Sequence, residues 1–243
     1  MPFHRARPFA LLAALLLAST TQAQTQPIGA VQGRDARSPQ AGREATVEGV
    51  VTAIRNDGWF VQDGGDGDPA TSDALFVTGL PAPAVGERVR VHGVVAEQDN
   101  GRGARTTLQA GDVAELGRGR LPKPVVLRAL PDDWNRHAGM RVRIAAPLTV
   151  AGSDRLDKYG ELTLNFGDRL RTPSDAARPG EALQAIAADN ARRTLLLEDG
   201  SDAESPAAPA WLPATGAPRA GTRVRGVEGV VDLRHGAVLL LPA

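Results

Sequence analysis

A turn glycine followed by alternating valine and arginine recurs four times in this 243-residue chain. The first copy is Gly42-Arg43-Glu44-Ala45-Thr46-Val47-Glu48-Gly49-Val50-Val51, and the second is Gly86-Glu87-Arg88-Val89-Arg90-Val91-His92-Gly93-Val94-Val95. Gly139-Met140-Arg141-Val142-Arg143-Ile144 is a shorter third. The fourth runs from Gly221 to Val231 with one extra residue. In the second copy Val89, Val91 and Val95 point one way, and Arg88, Arg90 and His92 the other. That is the period of a strand with one buried face. The late glycine inside the strand marks a bulge or sharp bend of the kind a small barrel needs.

The copies fall in two pairs, which predicts two units. Between Gly42 and Gly86 lie two strand candidates. Trp59-Phe60-Val61-Gln62 follows the hairpin turn Asn56-Asp57-Gly58, and Leu75-Phe76-Val77 comes next. Thr106-Thr107-Leu108-Gln109 makes a fifth strand. Five short strands at this spacing suit an OB-like barrel. Gly79 to Gly86 is too short and proline-rich for the helix usual between the third and fourth strands. The second unit spreads over 82 residues (221 − 139) where the first takes 44 (86 − 42). Its further strands are Leu162 to Phe166, Thr194 to Leu197 and Ala237 to Leu241. Its excess is a short helix within Pro179 to Asn190 and a loop from Ser201 to Pro218. The expected architecture is all-β: two tandem OB-like five-stranded barrels over residues 24–120 and 136–243, joined by a linker over 121–135.

Residues 1–23 read as a cleaved signal peptide. Arg5 and Arg7 precede an apolar run from Phe9 to Ala18, and Thr21-Gln22-Ala23 offers a small-residue cleavage site. The run is too short to span a membrane, which takes ~20 apolar residues. Export to the periplasm or the medium is expected. The chain has no Cys, although that compartment permits disulfides. Removing Arg5 and Arg7 leaves 28 − 2 = 26 basic against 28 acidic residues, a balance of −2. This excludes the footprint of a strongly basic nucleic-acid binder, so any such contact must come from local patches.

OB barrels bind single strands by stacking bases on aromatics of the second and third strands, at ~1–3 kcal/mol per base. The candidates are Trp59, Phe60 and Phe76. Trp59 and Phe60 are adjacent, so one is expected in the core and one on the surface; the alternative is that all three are packing residues. Arg55 in the first connecting loop, and Arg102 and Arg105 in the last, suit phosphate contact. Arg90, with Arg88, lies on a polar strand face that could equally be a solvated surface with loose ion pairs. Asp63, Asp66, Asp68 and Asp73 form an acidic, glycine-rich loop. It offers oxygens for a divalent cation such as calcium, or side chains that cap their own turn. No cofactor is otherwise implied. His92, His137 and His235 show no metal-ligand spacing and are read as surface residues. No serine sits near a His base, and no phosphate-binding loop occurs. No catalytic residue is therefore nominated.

Several segments carry a family resemblance. Val31-Gln32-Gly33, Ser38-Pro39, Val47 to Thr52, Gly58 to Asp63, Asp66 to Val77, Lys158 to Leu164 and Leu195 to Gly200 resemble, in order, the N-terminal OB-like region of secreted bacterial extracellular nucleases. The resemblance implies a nucleic-acid-binding domain that accompanies a metal-dependent catalytic domain of the endonuclease/exonuclease/phosphatase type. That catalytic domain would begin about where this sequence ends, so the endonuclease activity does not carry over. What the resemblance implies is a non-catalytic accessory module that holds DNA or RNA weakly through the first barrel, alongside a separate nuclease. The alternatives are a secreted scaffold binding protein or oligosaccharide, and a remnant of a nuclease that lost its catalytic part.

Overall fold

A computed structural model of the protein describes residues 24–99, 101, 104–201, 209 and 211–242. The expected signal segment 1–23 and Arg102 lie outside the described residues. Among the described residues, no helix is long and apolar enough to cross a membrane. The protein is mostly β and forms two sheets.

The first sheet is a closed ring. A short helix, α1 (Ile28–Gln32), precedes β1 (Glu44–Arg55), β2 (Gly58–Gln62), β3 (Ala74–Thr78), β4 (Glu87–Asp99) and β5 (Ala104–Arg118). The ring order is β1-β2-β3-β5-β4. β1 closes it by pairing with β4 through its first half and with β2 through its second. A register shift between Val51 and Ala53 bends β1 between these roles. β3 meets β5 in parallel. The inward valines of the repeat, Val47, Val51, Val89, Val91 and Val95, pack with Trp59, Val61, Leu75, Val77 and Leu108. Ile28 and Val31 of α1 join this core and are fully buried. The segment between β3 and β4 forms no helix, as expected.

The late glycines of the repeat sit where a neighbouring backbone comes close. A Cβ on Gly93 would lie 2.2 Å from the Gln109 carbonyl, beside a register shift between His92 and Gly93. Gly229, its counterpart in the fourth copy, would put a Cβ 2.3 Å from the Leu241 carbonyl. Only glycine fits such approaches.

The second sheet has eight strands. These are β6 (Val125–Leu127), β7 (Arg141–Ile144), β8 (Leu148–Gly152), β9 (Leu162–Phe166), β10 (Thr194–Leu197), β11 (Arg223–Val224), β12 (Val227–Arg234) and β13 (Ala237–Pro242). Helices α2 (Leu156–Tyr159), α3 (Pro173–Ala176) and α4 (Glu181–Arg193) lie between strands. The pairing β8-β9-β10-β13-β12-β7 repeats the order of the first ring, with β7 and β8 in the place of β1. Pro147, which cannot donate a ladder bond, falls between the two. β10 runs parallel to β13 as β3 does to β5. β11 pairs with β8, and β12 with β7. The chain turns between β11 and β12 at Gly226, whose φ is +71°, so the extra residue of the fourth copy breaks its strand. α4 fills the insertion in which a helix was expected.

Two strands depart from the sequence reading. β6 lies inside the expected linker, where it adds in parallel to β7. β8 was not anticipated. Both are short and begin next to or just after a proline, so no period is long enough to see.

Candidate functional site

The aromatic face nominated for stacking is filled from within the chain. On β12, Val231 and Leu233 enter the core of the second sheet, while Val230 faces the other way. On β13, Val238 and Leu240 point inward and Leu241 points out. Val230 and Leu241 pack against Phe60, Phe76 and Ala53 of the first ring. The two rings of Phe60 and Phe76 lie 4.8 Å apart, tilted by 57°. Phe60 is 1% and Phe76 2% exposed. Trp59 is buried in the core of the first ring. The expectation that one of Trp59 and Phe60 faces solvent is therefore corrected: both are buried, one against each side of the sheet. A base can stack on Phe60 or Phe76 only where β12 and β13 are displaced.

The nominated loop arginines belong to the same contact. Arg55 is buried and pairs with Glu198, and it lies 3.5 Å from Asp232. Arg105 lies 3.0 Å from the other oxygen of Asp232, and its guanidinium stacks 4.0 Å above the Phe76 ring. Arg234 lies 3.2 Å from Asp232 and 2.8 Å from Asp57. Three guanidiniums thus meet three carboxylates around a small apolar centre, and each unit supplies both signs. Burial pushes the Arg105 guanidinium below its ordinary value, with Asp232 opposing the shift. Further bonds cross between the units. The Ser72 hydroxyl donates to the Ala138 carbonyl at 2.6 Å, and the Arg141 amide donates to Gln62 Oε1 at 2.9 Å. Gly139, the third turn glycine of the repeat, has a φ of +76°, and a Cβ there would lie 3.1 Å from the Phe60 ring. The twin units form one packed body through this contact.

Arg90 and Arg88 both pair with Glu48, at 2.6 and 2.9 Å, on an outer strand face. The Arg90 guanidinium holds the Glu48 carboxyl below its ordinary value. This is the solvated-face arrangement, worth ~0–1 kcal/mol.

In the acidic loop the carboxylates turn on their own backbone. Asp63 accepts from the Ile28 and Gly65 amides, Asp66 from Asp68, Asp68 from Ala70, and Asp73 from Asp66. Asp68 also holds Arg34 at 2.7 Å. Among the described residues, no three His, Asp or Glu side chains converge as a metal site. Desolvation, and the charges of Asp63, Asp66 and Asp68, push the Asp73 carboxyl above its ordinary value. A raised carboxyl costs stability above its folded pKa, and that cost vanishes below the unfolded value near 3.8. Asp73→Asn is therefore expected to raise the thermal midpoint at pH 7, with the gain fading by pH 3. Equal midpoints of both proteins across that range would refute this.

The histidines have separate surroundings. The His92 ring lies 2.9 Å from the Thr46 hydroxyl, His235 is exposed at a turn, and His137 is half-buried. Burial pushes the His137 imidazole below its ordinary value, against the expectation of a surface residue. A cleft between the units, lined by Gln32, Arg34, Phe76, Arg105, Asn135 and Arg136, encloses about 40 Å³. That admits a few waters, whereas small-molecule sites span ~300–1,000 Å³.

Asp57, Glu198, Asp232 and Arg234 were not nominated from the sequence. A signal was present: Trp59-Phe60-Val61 and Val238 to Leu241 are unbroken apolar runs, and such runs mark strands buried on both faces. No family model matches the sequence, and no curated protein matches it at a significant level.

Proposed function

We propose that this chain is a non-catalytic nucleic-acid-binding module of the secreted-nuclease type, built from two OB-like units that act as one exported body. The observation that carries this reading is the strand order. A closed five-stranded ring with a bent first strand shared by two neighbours and a parallel closing pair supports the OB reading. The second sheet repeats that order with its first strand split. OB folds serve oligonucleotide and oligosaccharide binding, and fold alone does not choose between them; the segmental resemblance to secreted nucleases favours nucleic acid. Phe60 and Phe76 are engaged by β12 and β13, so contact runs through phosphates rather than stacked bases.

The test is fluorescence anisotropy with a labelled 20-nucleotide DNA strand and its duplex, at 50 and 200 mM salt. Binding through phosphates predicts saturable association with both forms, similar within about threefold, and weakened at least tenfold by the added salt. Absence of binding to either form at 50 mM salt would refute the proposal, and saturable binding to neutral oligosaccharides instead would select the rival.

A further inference from the structure

Most arginines of the first unit are paired. Arg34, Arg55, Arg88, Arg90, Arg105 and Arg118 have carboxylate partners, while Arg37, Arg43 and Arg120 are exposed without one among the described residues. On the second unit, Arg143, Arg169, Arg171 and Arg225 have none among the described residues and are exposed. These four belong to one end of the second sheet, where Leu148 of β8 pairs with Phe166 of β9 on one side and Val224 of β11 on the other.

The backbone at that end is tied together. Gly226 donates to the Ile144 carbonyl at 3.0 Å, and Gly167 to the Pro147 carbonyl at 2.9 Å. The Arg143 guanidinium lies beside Gly226, 3.8 Å from where a Cβ would stand. The loop that carries Arg169 and Arg171 is held at both ends. Arg193 donates to the Phe166 and Asp168 carbonyls, and the Asn190 side chain donates to the Arg171 carbonyl at 2.7 Å. Arg223 pairs with Asp168 in the same place. Seven arginines (Arg143, Arg169, Arg171, Arg192, Arg193, Arg223, Arg225) thus share this end with Asp168, Asp189 and Glu228, which stands opposite Arg143, a local charge of 7 − 3 = +4 in a chain whose formal charge is zero.

We infer that this basic end of the second unit is where the protein holds the phosphate backbone of a nucleic acid. The inference rests on the nucleic-acid reading above and moves the contact off the first ring. Guanidinium groups suit phosphate because their forked donors bind its oxygens in pairs. Four of these arginines have no carboxylate partner to give up, whereas Arg55 and Arg105 would have to abandon theirs. Of the remaining three, Arg193 and Arg223 fix the loop, and with Arg192 they contribute charge.

The test compares the full chain with a quadruple variant, R143A/R169A/R171A/R225A, and with R88A/R90A. Unchanged melting curves confirm that the exposed substitutions leave the fold intact. Duplex DNA is the probe, with polyglutamate as an anion that lacks phosphate. The quadruple variant is expected to bind DNA at least tenfold more weakly at 50 mM salt. Its dependence of log affinity on log salt should be shallower by about 2–4, since each neutralised phosphate contributes about 0.9. R88A/R90A should stay within about twofold of the unmodified chain. If the unmodified chain binds DNA and the quadruple variant binds equally well, this location is wrong while the function stands. If the unmodified chain binds no DNA, both fall. Saturable binding of polyglutamate without DNA binding would overturn the phosphate assignment in favour of an acidic protein partner.

Discussion

Asp232→Ala is expected to lower the unfolding free energy by about 3–5 kcal/mol, the usual cost of removing one partner from a buried ion pair. Asp232 is 0% exposed and lies within 3.5 Å of Arg55, Arg105 and Arg234. Its loss leaves three guanidiniums around one apolar centre with Glu198 and Asp57 as their remaining acidic partners. Arg55 cannot reach water without moving β1 away from the second unit, because its side chain is 1% exposed. Urea unfolding would measure the effect. The comparison is Glu48→Ala, which also removes a carboxylate shared between two arginines. Arg88 and Arg90 are solvated there, with side chains 55% and 39% exposed, so the loss should stay under about 1 kcal/mol. Similar losses for the two variants would mean that the contact between the units is open to water.

Phe76→Ala is expected to cost about 3–5 kcal/mol, the range for truncating a buried phenylalanine. The side chain touches Phe60 on its own sheet and the Val230–Leu241 pair across the contact, so truncation leaves a cavity that neither unit can fill alone. The Arg105 guanidinium also loses its stacking face, a contribution of about 0.5–2 kcal/mol within that total. Because the lost contacts join two units with separate cores, unfolding should change in form as well as in midpoint. The unmodified chain is expected to unfold in one transition, and Phe76→Ala in two as the units uncouple. Trp59 in the first ring and Trp134 against the second core report on both. A loss below about 1 kcal/mol, with a single transition retained, would show that Phe76 does not join the units.

Much of the fold was legible because strand alternation is a local property. Val89, Val91 and Val95 declare one face and Arg88 and Arg90 the other, whatever lies around them. A turn glycine dates the start of each strand. That was enough for all five strands of the first ring, for β9, β10 and β13, and for the long part of the fourth repeat. It failed where a strand is too short to show a period, as in β6, or starts directly after a proline, as in β8.

The candidate site was less legible, and the reason is physical. Alternation says which residues share a face and is silent on what covers that face. Arg55 beside its hairpin turn and Arg105 beside a glycine-rich loop look like phosphate ligands when read locally. Their partners Glu198 and Asp232 stand 143 and 127 positions away, and Asp57 meets Arg234 across 177. The amino-acid order alone determined two β units, their turns and the inward side of most strands, because those follow from steric and hydrophobic preferences within a few residues. Only the tertiary structure decided that the aromatic face of one unit is the docking face of the other, because that choice depends on shape and charge meeting between segments far apart in the chain.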